Sequence, residues 1–284
     1  MKQTYAYISL VILLVALTLG GCAAPKPYVS NPKVSEAQNI IRAAGAAHNL
    51  DVVAPDNGSS ASTVAGAVAH SLSHGGSLLT SPGLRGGADL LASLVLGSKD
   101  PETHSQIIAW MPKEMASSAL DAKEKLSAII SEAMWKGLND TPFPNPFTPA
   151  PTKDLNTFFV DGPGCVNKRG GTPCVYDYLL TDPKILPSPA FLGGSDSWAW
   201  TMDDNGGRSH LSPSTFTGDT KPHFPDYQVY KKMSANLPEW VFIYLAPSYG
   251  SWRVSVERQD GTFGYLSMPV VLNQGKTLYF LKRK

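Results

Sequence analysis

The sequence predicts an α+β protein, in which a small N-terminal helical bundle is followed by an antiparallel β-sandwich or a partly open barrel. Three observations support this prediction. Apolar residues recur at helical spacing over residues 33–138. Five prolines then interrupt the chain within residues 139–154. Residues 155–284 consist of short runs rich in valine and aromatic residues, separated by Gly, Pro, Asn and Asp.

The N-terminus carries an apolar run of about 14 residues from Ala6 to Leu19, and Lys2 is the one charged residue before it. A membrane-spanning helix needs about 20 residues, whereas the apolar part of an export signal needs roughly 7–15. The length therefore favours an export signal over a permanent span. No other segment of the sequence is apolar for long enough to cross a bilayer.

The run ends in Leu19-Gly20-Gly21-Cys22. This motif resembles the lipobox of bacterial lipoprotein precursors, in which small residues precede an invariant cysteine. The resemblance implies that residues 1–21 are a signal peptide, and that Cys22 carries diacylglycerol and an N-terminal acyl chain such as palmitate. Ala23 stands where an Asp would retain a lipoprotein in the inner membrane, which implies the outer membrane. The alternatives are a plain signal peptide with a coincidental cysteine, or an uncleaved anchor.

Residues 22–32 contain three prolines and little to bury, which predicts a tether between the lipid and the folded part.

The charge of the sequence narrows the range of expected partners. The formal net charge is +1, and it falls to zero once Lys2 is removed with the signal peptide. Because nucleic-acid affinity comes mainly from phosphate neutralisation, we expect no nucleic acid as a partner. The expected partners are the membrane, through the N-terminal lipid, and other envelope proteins.

The helical region of residues 33–138 begins at Ser35, which forms a capping-box pattern with Gln38. Two further segments of small and apolar residues end at Gly76 and Gly97. Together these segments predict a small bundle.

Two more helices are predicted in the same region. Asp100 followed by proline is typical of a helix start, and we expect that helix to reach about Met111. The clearest helical periodicity lies in residues 112–138, where Gly137 is placed to end the helix.

Residues 139–154 hold the five prolines, and neither a helix nor a central strand tolerates that density. The segment is therefore an extended linker or a strap along a surface. Phe143 and Phe147 favour the strap, because a free linker has little use for aromatic side chains. A segment that docks a partner is the alternative.

The β-rich domain of residues 155–284 contains seven or eight short predicted strands, with hairpin turns at Asp260-Gly261 and at NQGK, residues 273–276. Cys165 and Cys174 remain once Cys22 is lipidated, and an even pair in an oxidising compartment predicts a disulfide. A metal site completed by ligands from elsewhere is the alternative.

Candidate partner- or ligand-binding residues lie in one stretch of this domain. Trp198 and Trp200 could stack on sugar rings if both were exposed, although aromatic residues at alternating strand positions more often belong to a core. The following residues, 203–226, contain no clear helix or strand, and loops of that length are usually functional or disordered. The polar candidates in this loop are Asp203, Asp204, His210 and His223.

No catalytic pattern stands out in the sequence. His70 and His74 lie four residues apart on a predicted helix, which suits zinc, but the glutamate of the metalloprotease motif is missing. The sequence contains neither a nucleophile elbow nor an evident Ser-His-Asp series. We therefore predict no catalytic residue, no metal and no cofactor.

Two functions remain as hypotheses. The first is a lipoprotein anchored in the outer membrane and facing the periplasm, which serves as a structural subunit or assembly factor of an envelope complex such as a secretion or conjugation machine. The second is a protein that binds or modifies cell-envelope glycans through Trp198, Trp200 and the 203–226 loop.

Overall fold

The computed structural model describes residues 25–46, 49–53, 104–141, 148–149, 156–160, 174–202, 209, 211–212, 226–246, 254–257, 263–266 and 269–282. The helices of this part are α1 (Glu36–Ala43), α2 (Ala119–Asn139) and α3 (Asp226–Ala235). The strands are β1 (Val52–Val53), β2 (Gln106–Pro112), β3 (Thr148–Pro149), β4 (Asn156–Val160), β5 (Cys174–Tyr178), β6 (Lys184–Pro187), β7 (Asp196–Trp200), β8 (Leu211–Ser212), β9 (Val241–Leu245), β10 (Ser255–Glu257), β11 (Phe263–Tyr265), β12 (Val270–Asn273), β13 (Lys276–Tyr279) and β14 (Leu281–Lys282). Within these ranges, no helix combines the length and the apolar character needed to cross a bilayer.

A six-stranded antiparallel sheet forms the centre of the described fold, in the order β13-β12-β9-β2-β7-β6. The α+β class is confirmed, and this sheet is open rather than closed into a barrel. Strand β2 comes from the region that the sequence predicts to be helical, yet it lies in the interior of the sheet between β9 and β7. The two halves of the sequence therefore meet in one sheet.

The helix predicted from Asp100 to about Met111 is wrong, because Gln106–Pro112 is a strand. Its residues from Gln106 to Met111 are all buried. A strand covered on both faces is apolar throughout and lacks the alternation that marks a half-exposed strand. Such a short apolar run cannot be distinguished from a buried helix by its periodicity.

The interior strands of the central sheet contribute side chains to two cores. In β2, Ile107 and Met111 face α2 and α3, whereas Ile108 and Trp110 face α1. The same alternation appears in β9, β7 and β12. It follows from the two-residue period of a strand, and it produces a sheet with helices on both faces.

Helix α2 begins at Ala119, seven residues after the predicted start at Pro112, which instead ends strand β2. The Ser118 hydroxyl caps the helix by accepting a hydrogen bond from the Asp121 amide at 3.2 Å. Gly137 does not end this helix, which continues to Asn139, so that prediction is wrong. Instead Gly137 lies where α2 approaches α3. A Cβ at this position would lie 2.7 Å from the Met233 backbone nitrogen, so only glycine allows the two helices to come this close.

A second, four-stranded sheet of order β3-β4-β5-β8 shares the core formed by α2 and α3. It is joined to the central sheet through the start of β2, since the Ile107 amide donates to the Ser209 carbonyl and the Leu211 amide to the Ser105 carbonyl. Within the Pro-rich segment, Thr148–Pro149 forms the edge strand β3. Proline is tolerated at such an edge because one side of the strand needs no donor.

Both predicted hairpins are present as strand pairs. β10 and β11 pair antiparallel, while the predicted turn residues Asp260-Gly261 between them lie outside the described residues. β12 pairs with β13 across NQGK. In the second turn Gln274 and Gly275 both have positive φ, at 47° and 74°. Two successive positive φ angles are the mark of the type I′ turn, whose twist matches that of the strands.

Candidate functional site

The candidate site is the segment that connects the motif Leu19-Gly20-Gly21-Cys22 to the folded body. From Pro27 onward this segment packs on the body rather than hanging free of it. The Tyr28 carbonyl accepts a hydrogen bond from the Ala190 amide at 2.8 Å. A Cβ on Gly194 would lie 3.2 Å from the Pro27 ring. Part of the segment predicted to be a tether is thus bound to the body.

Asn39 of α1 holds this segment through its side-chain amide. Its oxygen accepts from the Tyr28 hydroxyl at 2.9 Å and from the Asn31 amide at 2.8 Å. Its nitrogen donates to the carbonyls of Asn31 and Ser35, both at 3.1 Å. Asn39 is buried, so these four hydrogen bonds satisfy a side chain that would otherwise be costly to bury.

The start of α1 is fixed by a second polar group. The Ser35 hydroxyl accepts from the Gln38 amide at 3.0 Å, which confirms Ser35 as the helix N-cap. The Asp51 carboxylate accepts from both the amide and the hydroxyl of Ser35, at 2.9 and 2.5 Å. The Gln38 side-chain oxygen accepts from the Leu50 amide at 2.6 Å. The Gln38 side-chain oxygen therefore binds the backbone at Leu50. In a complete capping box, this oxygen would instead accept a hydrogen bond from the Ser35 amide.

The turn that receives the N-terminal segment depends on two glycines. After a 3₁₀ turn at Ala190–Leu192, Gly193 and Gly194 adopt positive φ of 98° and 68°. An L-residue with a side chain would be strained in this conformation. At Gly194 a side chain would in addition meet Pro27.

Two large apolar side chains are exposed beside this contact. Val29 is 74% exposed and Phe191 is 41% exposed. They follow directly after Tyr28 and Ala190, the two residues joined by the backbone hydrogen bond. One edge of the Phe191 ring meets Phe242, with the ring centroids 6.4 Å apart. We call Lys26, Pro27, Val29 and Phe191 the N-terminal corner.

Trp198 and Trp200 lie in the core, at 8% and 1% exposure, and the predicted aromatic surface is not found at these two residues. The Trp198 indole donates to the carbonyls of Lys113 and Ala116, at 3.2 and 3.3 Å. The Trp200 indole donates to the Thr181 carbonyl at 2.9 Å. Both rings face the α2 and α3 side of the central sheet, so neither can stack on a sugar.

A buried polar cluster joins the four-stranded sheet to α3. The Tyr176 hydroxyl donates to the Asp226 carboxylate at 2.5 Å, and the rings of Tyr176 and Tyr230 meet edge to face with centroids 5.8 Å apart. Burial raises the pKa of Tyr230 well above its usual value, and the nearby Asp226 and Asp177 carboxylates raise it further. Tyr230 therefore stays neutral into the alkaline range, and its ring packs edge to face against Tyr176.

Tyr178 makes the corresponding contact with α2. Its hydroxyl donates to the Ser127 carbonyl at 2.8 Å and lies 2.7 Å from the Ser131 hydroxyl. Burial raises the pKa of Tyr178, and hydrogen bonds from the Ser127 and Ser131 hydroxyls oppose that shift. Its neutral phenol thus links sheet and helix.

Several predicted site residues lie outside the described residues: Cys22, Cys165, His70, His74, Asp203, Asp204, His210 and His223. The helices predicted to end at Gly76 and Gly97 lie outside as well. The backbone of Cys174 is described, and it pairs with Val160 at the start of β5. Among the described residues, no group of three or more His, Cys, Asp or Glu could hold a metal ion.

The hydrogen-bonded anchoring of the N-terminal segment was not predicted from the sequence. One signal was available, because Gln38 and Asn39 interrupt the apolar side of α1 and yet are buried. Buried amides imply hydrogen-bond partners nearby in the fold.

No protein-family model matches this chain, and neither the curated proteins nor the solved structures contain a significant match to it.

Proposed function

We propose that the protein is a lipoprotein anchored in the outer membrane and facing the periplasm, where it is a structural subunit or assembly factor of a multiprotein envelope complex such as a secretion or conjugation machine. The observation that carries the proposal is the motif Leu19-Gly20-Gly21-Cys22 directly after an apolar run of export-signal length. Ala23 after the cysteine supports the outer membrane as its location.

The arrangement of the N-terminal segment supports an anchoring role. The chain that follows the motif is exposed at Pro25 and Lys26, and it is bound to the body from Pro27 onward. Force applied at the lipidated Cys22 is therefore transmitted through the Tyr28–Asn39 hydrogen bond to α1, which packs on the central sheet. This arrangement suits a subunit that must hold a fixed position in an assembly.

The proposal is tested by crosslinking and affinity capture from solubilised envelopes. The tagged natural protein is expected to recover a defined set of envelope proteins, and Cys22→Ser is expected to lose them. Ala23→Asp is the matched variant, because it keeps the acylated cysteine and is expected to move the protein to the inner membrane. If the same partners are recovered in equal amounts from all three proteins, the anchor plays no part in assembly and the proposal fails.

A further inference from the structure

We propose that the N-terminal corner rests on the lipid bilayer, so that the body lies against the membrane in one orientation. Val29 and Phe191 would contact the lipid, and Lys26 would contact the phospholipid headgroups. This inference rests on the proposed lipidation of Cys22 and adds to it a membrane-facing surface on the folded body.

The first argument is the short length of chain between Cys22 and Pro27. Pro27, the first residue packed on the body, lies five positions after Cys22 in the sequence. At about 3.3–3.6 Å per residue, an extended chain of that length reaches roughly 17 Å. A folded chain of this size has a radius of gyration of about 18 Å. The fully extended tether is thus no longer than the radius of gyration of the body. The tether therefore restricts which side of the body can face the membrane.

The apolar character of the corner is the second argument. Single exposed apolar residues are normal on a protein surface and by themselves mean little. Val29 and Phe191 differ in position, since they flank the Tyr28–Ala190 hydrogen bond where the chain departs toward the anchor. A lipid surface at this place would cover both side chains.

Charge is the third argument. Residues 22–35 contain Lys26 and Lys33 and no aspartate or glutamate, and both lysines are exposed. Lysines close to a bilayer are attracted to anionic phospholipids. The segment that links anchor to body thus has the charge that a membrane surface favours.

The rigid attachment of the corner is the fourth argument. Tyr28 is held by Asn39, and the Phe191 ring packs on Phe242 of the central sheet. Contact of the corner with lipid therefore fixes the orientation of the central sheet, rather than that of a loose loop.

The test is site-specific photo-crosslinking with the full-length lipidated protein in vesicles of phosphatidylethanolamine and phosphatidylglycerol. A benzophenone amino acid replaces Val29 in one protein and Leu120 in another. Leu120 is a matched control, because it is 66% exposed and lies on α2, on the opposite side of the central sheet from α1. We expect the probe at position 29 to crosslink phospholipid at least five-fold more than the probe at position 120.

A third protein carries the probe at position 29 and an insertion of twelve Gly and Ser residues between Ala24 and Pro25. The longer tether is expected to lower lipid crosslinking several-fold. Equal crosslinking at positions 29 and 120 would overturn the inference, as would crosslinking from position 29 to an envelope protein alone in native envelopes. Labelling with radioactive palmitate separates the two proposals. A protein that takes up palmitate without lipid crosslinking at position 29 refutes only the membrane-facing surface, whereas a protein without palmitate refutes both.

Discussion

Tyr28 and Asn39 join the N-terminal segment to the first helix, since the phenol donates to the buried side-chain oxygen of the asparagine at 2.9 Å. The same asparagine binds the backbone of Asn31 in both directions. Together with the Tyr28–Ala190 backbone hydrogen bond, this side chain makes the chain that follows Cys22 part of the folded body.

Replacing Asn39 tests that connection. Asn39→Ala removes four hydrogen bonds and leaves the Asn31 amide without its partner. We expect the free energy of unfolding to fall by about 2–4 kcal/mol, because four hydrogen bonds to a buried side chain are lost and each contributes about 1 kcal/mol. Limited proteolysis should then cleave the chain before Ser35. Asn236→Ala is the control, because Asn236 is exposed and donates one bond to the Lys232 carbonyl. An equal loss of stability in the two variants would contradict the assignment.

The close packing of α2 on α3 predicts that Gly137→Ala is destabilising. Alanine is normally preferred in a helix by about 1 kcal/mol. Here its Cβ would lie 2.7 Å from the Met233 nitrogen, so the helices must separate. We expect a net loss of about 1–3 kcal/mol, as in other overpacked cores, measured by denaturant unfolding. Lys136→Ala, at the neighbouring exposed position, should change stability little. A stabilised Gly137→Ala protein would contradict the close approach.

The buried tyrosines predict a loss of stability at alkaline pH. The pKa values of Tyr178, Tyr227, Tyr230 and Tyr279 are all raised, chiefly by burial. Above about pH 10 the unfolded chain releases these protons while the folded protein keeps them. Unfolding is therefore favoured as the pH rises, and the stability these groups contribute is intact below that value. Unfolding free energies should stay level from pH 8 to about pH 9 and then fall toward pH 11, less steeply in Tyr230→Phe. A flat profile would refute this account of the cluster.

The Asp121 carboxylate, which accepts from Ser117 at the start of α2, predicts that stability also falls in acid. Hydrogen bonding from the Ser117 amide, and then from Lys125, lowers the pKa of Asp121 below its usual value of 3.8. Stability from this group is present above that value and is lost as the pH falls through the lower folded pKa. Stability of the natural protein should therefore decrease below about pH 4, and Asp121→Asn should lessen that decrease. Denaturant unfolding between pH 6 and 2.5 measures this decrease in stability. An equal decrease in the natural protein and in Asp121→Asn would contradict the contribution assigned to Asp121.

The burial of Trp200 predicts that its removal damages the fold. Trp200→Ala leaves a large cavity and an unpaired Thr181 carbonyl. We expect a loss of about 3–5 kcal/mol, typical of aromatic residues deleted from a core. Thermal unfolding measures this loss, and Trp200→Phe should lose less because it keeps most of the apolar volume. A stable Trp200→Ala protein that had lost glycan binding would instead revive the idea of an aromatic surface.

Local signals in the sequence predicted local structure correctly. The Ser35 cap, the helical periodicity that persists through most of α2, and the NQGK turn each depend on residues close together in the chain, whose side chains and φ angles decide the outcome. Features that depend on contacts between residues far apart in the sequence could not be predicted from local patterns. Gly137 is typical of a helix end, and its close contact with Met233 is visible only once α3 is in place.

The strand β2 shows the same limit. Ile107 and Ile108 face opposite cores, and the helices that cover them come from other parts of the chain. Trp198 and Trp200 sit at alternating positions of β7, a pattern that is more common in a core but also fits an exposed aromatic stripe. Their exposure is decided by α2 and α3, which lie far away in the sequence.

The most direct test of the central claim is the mass of the mature N-terminus. Intact-protein and peptide mass spectrometry on envelope material should find a chain that begins at Cys22 and carries diacylglycerol and an amide-linked acyl chain. The outer-membrane fraction should contain it. A chain that begins at another residue, or an unmodified thiol at Cys22, would contradict the lipid anchor and the assembly role built on it.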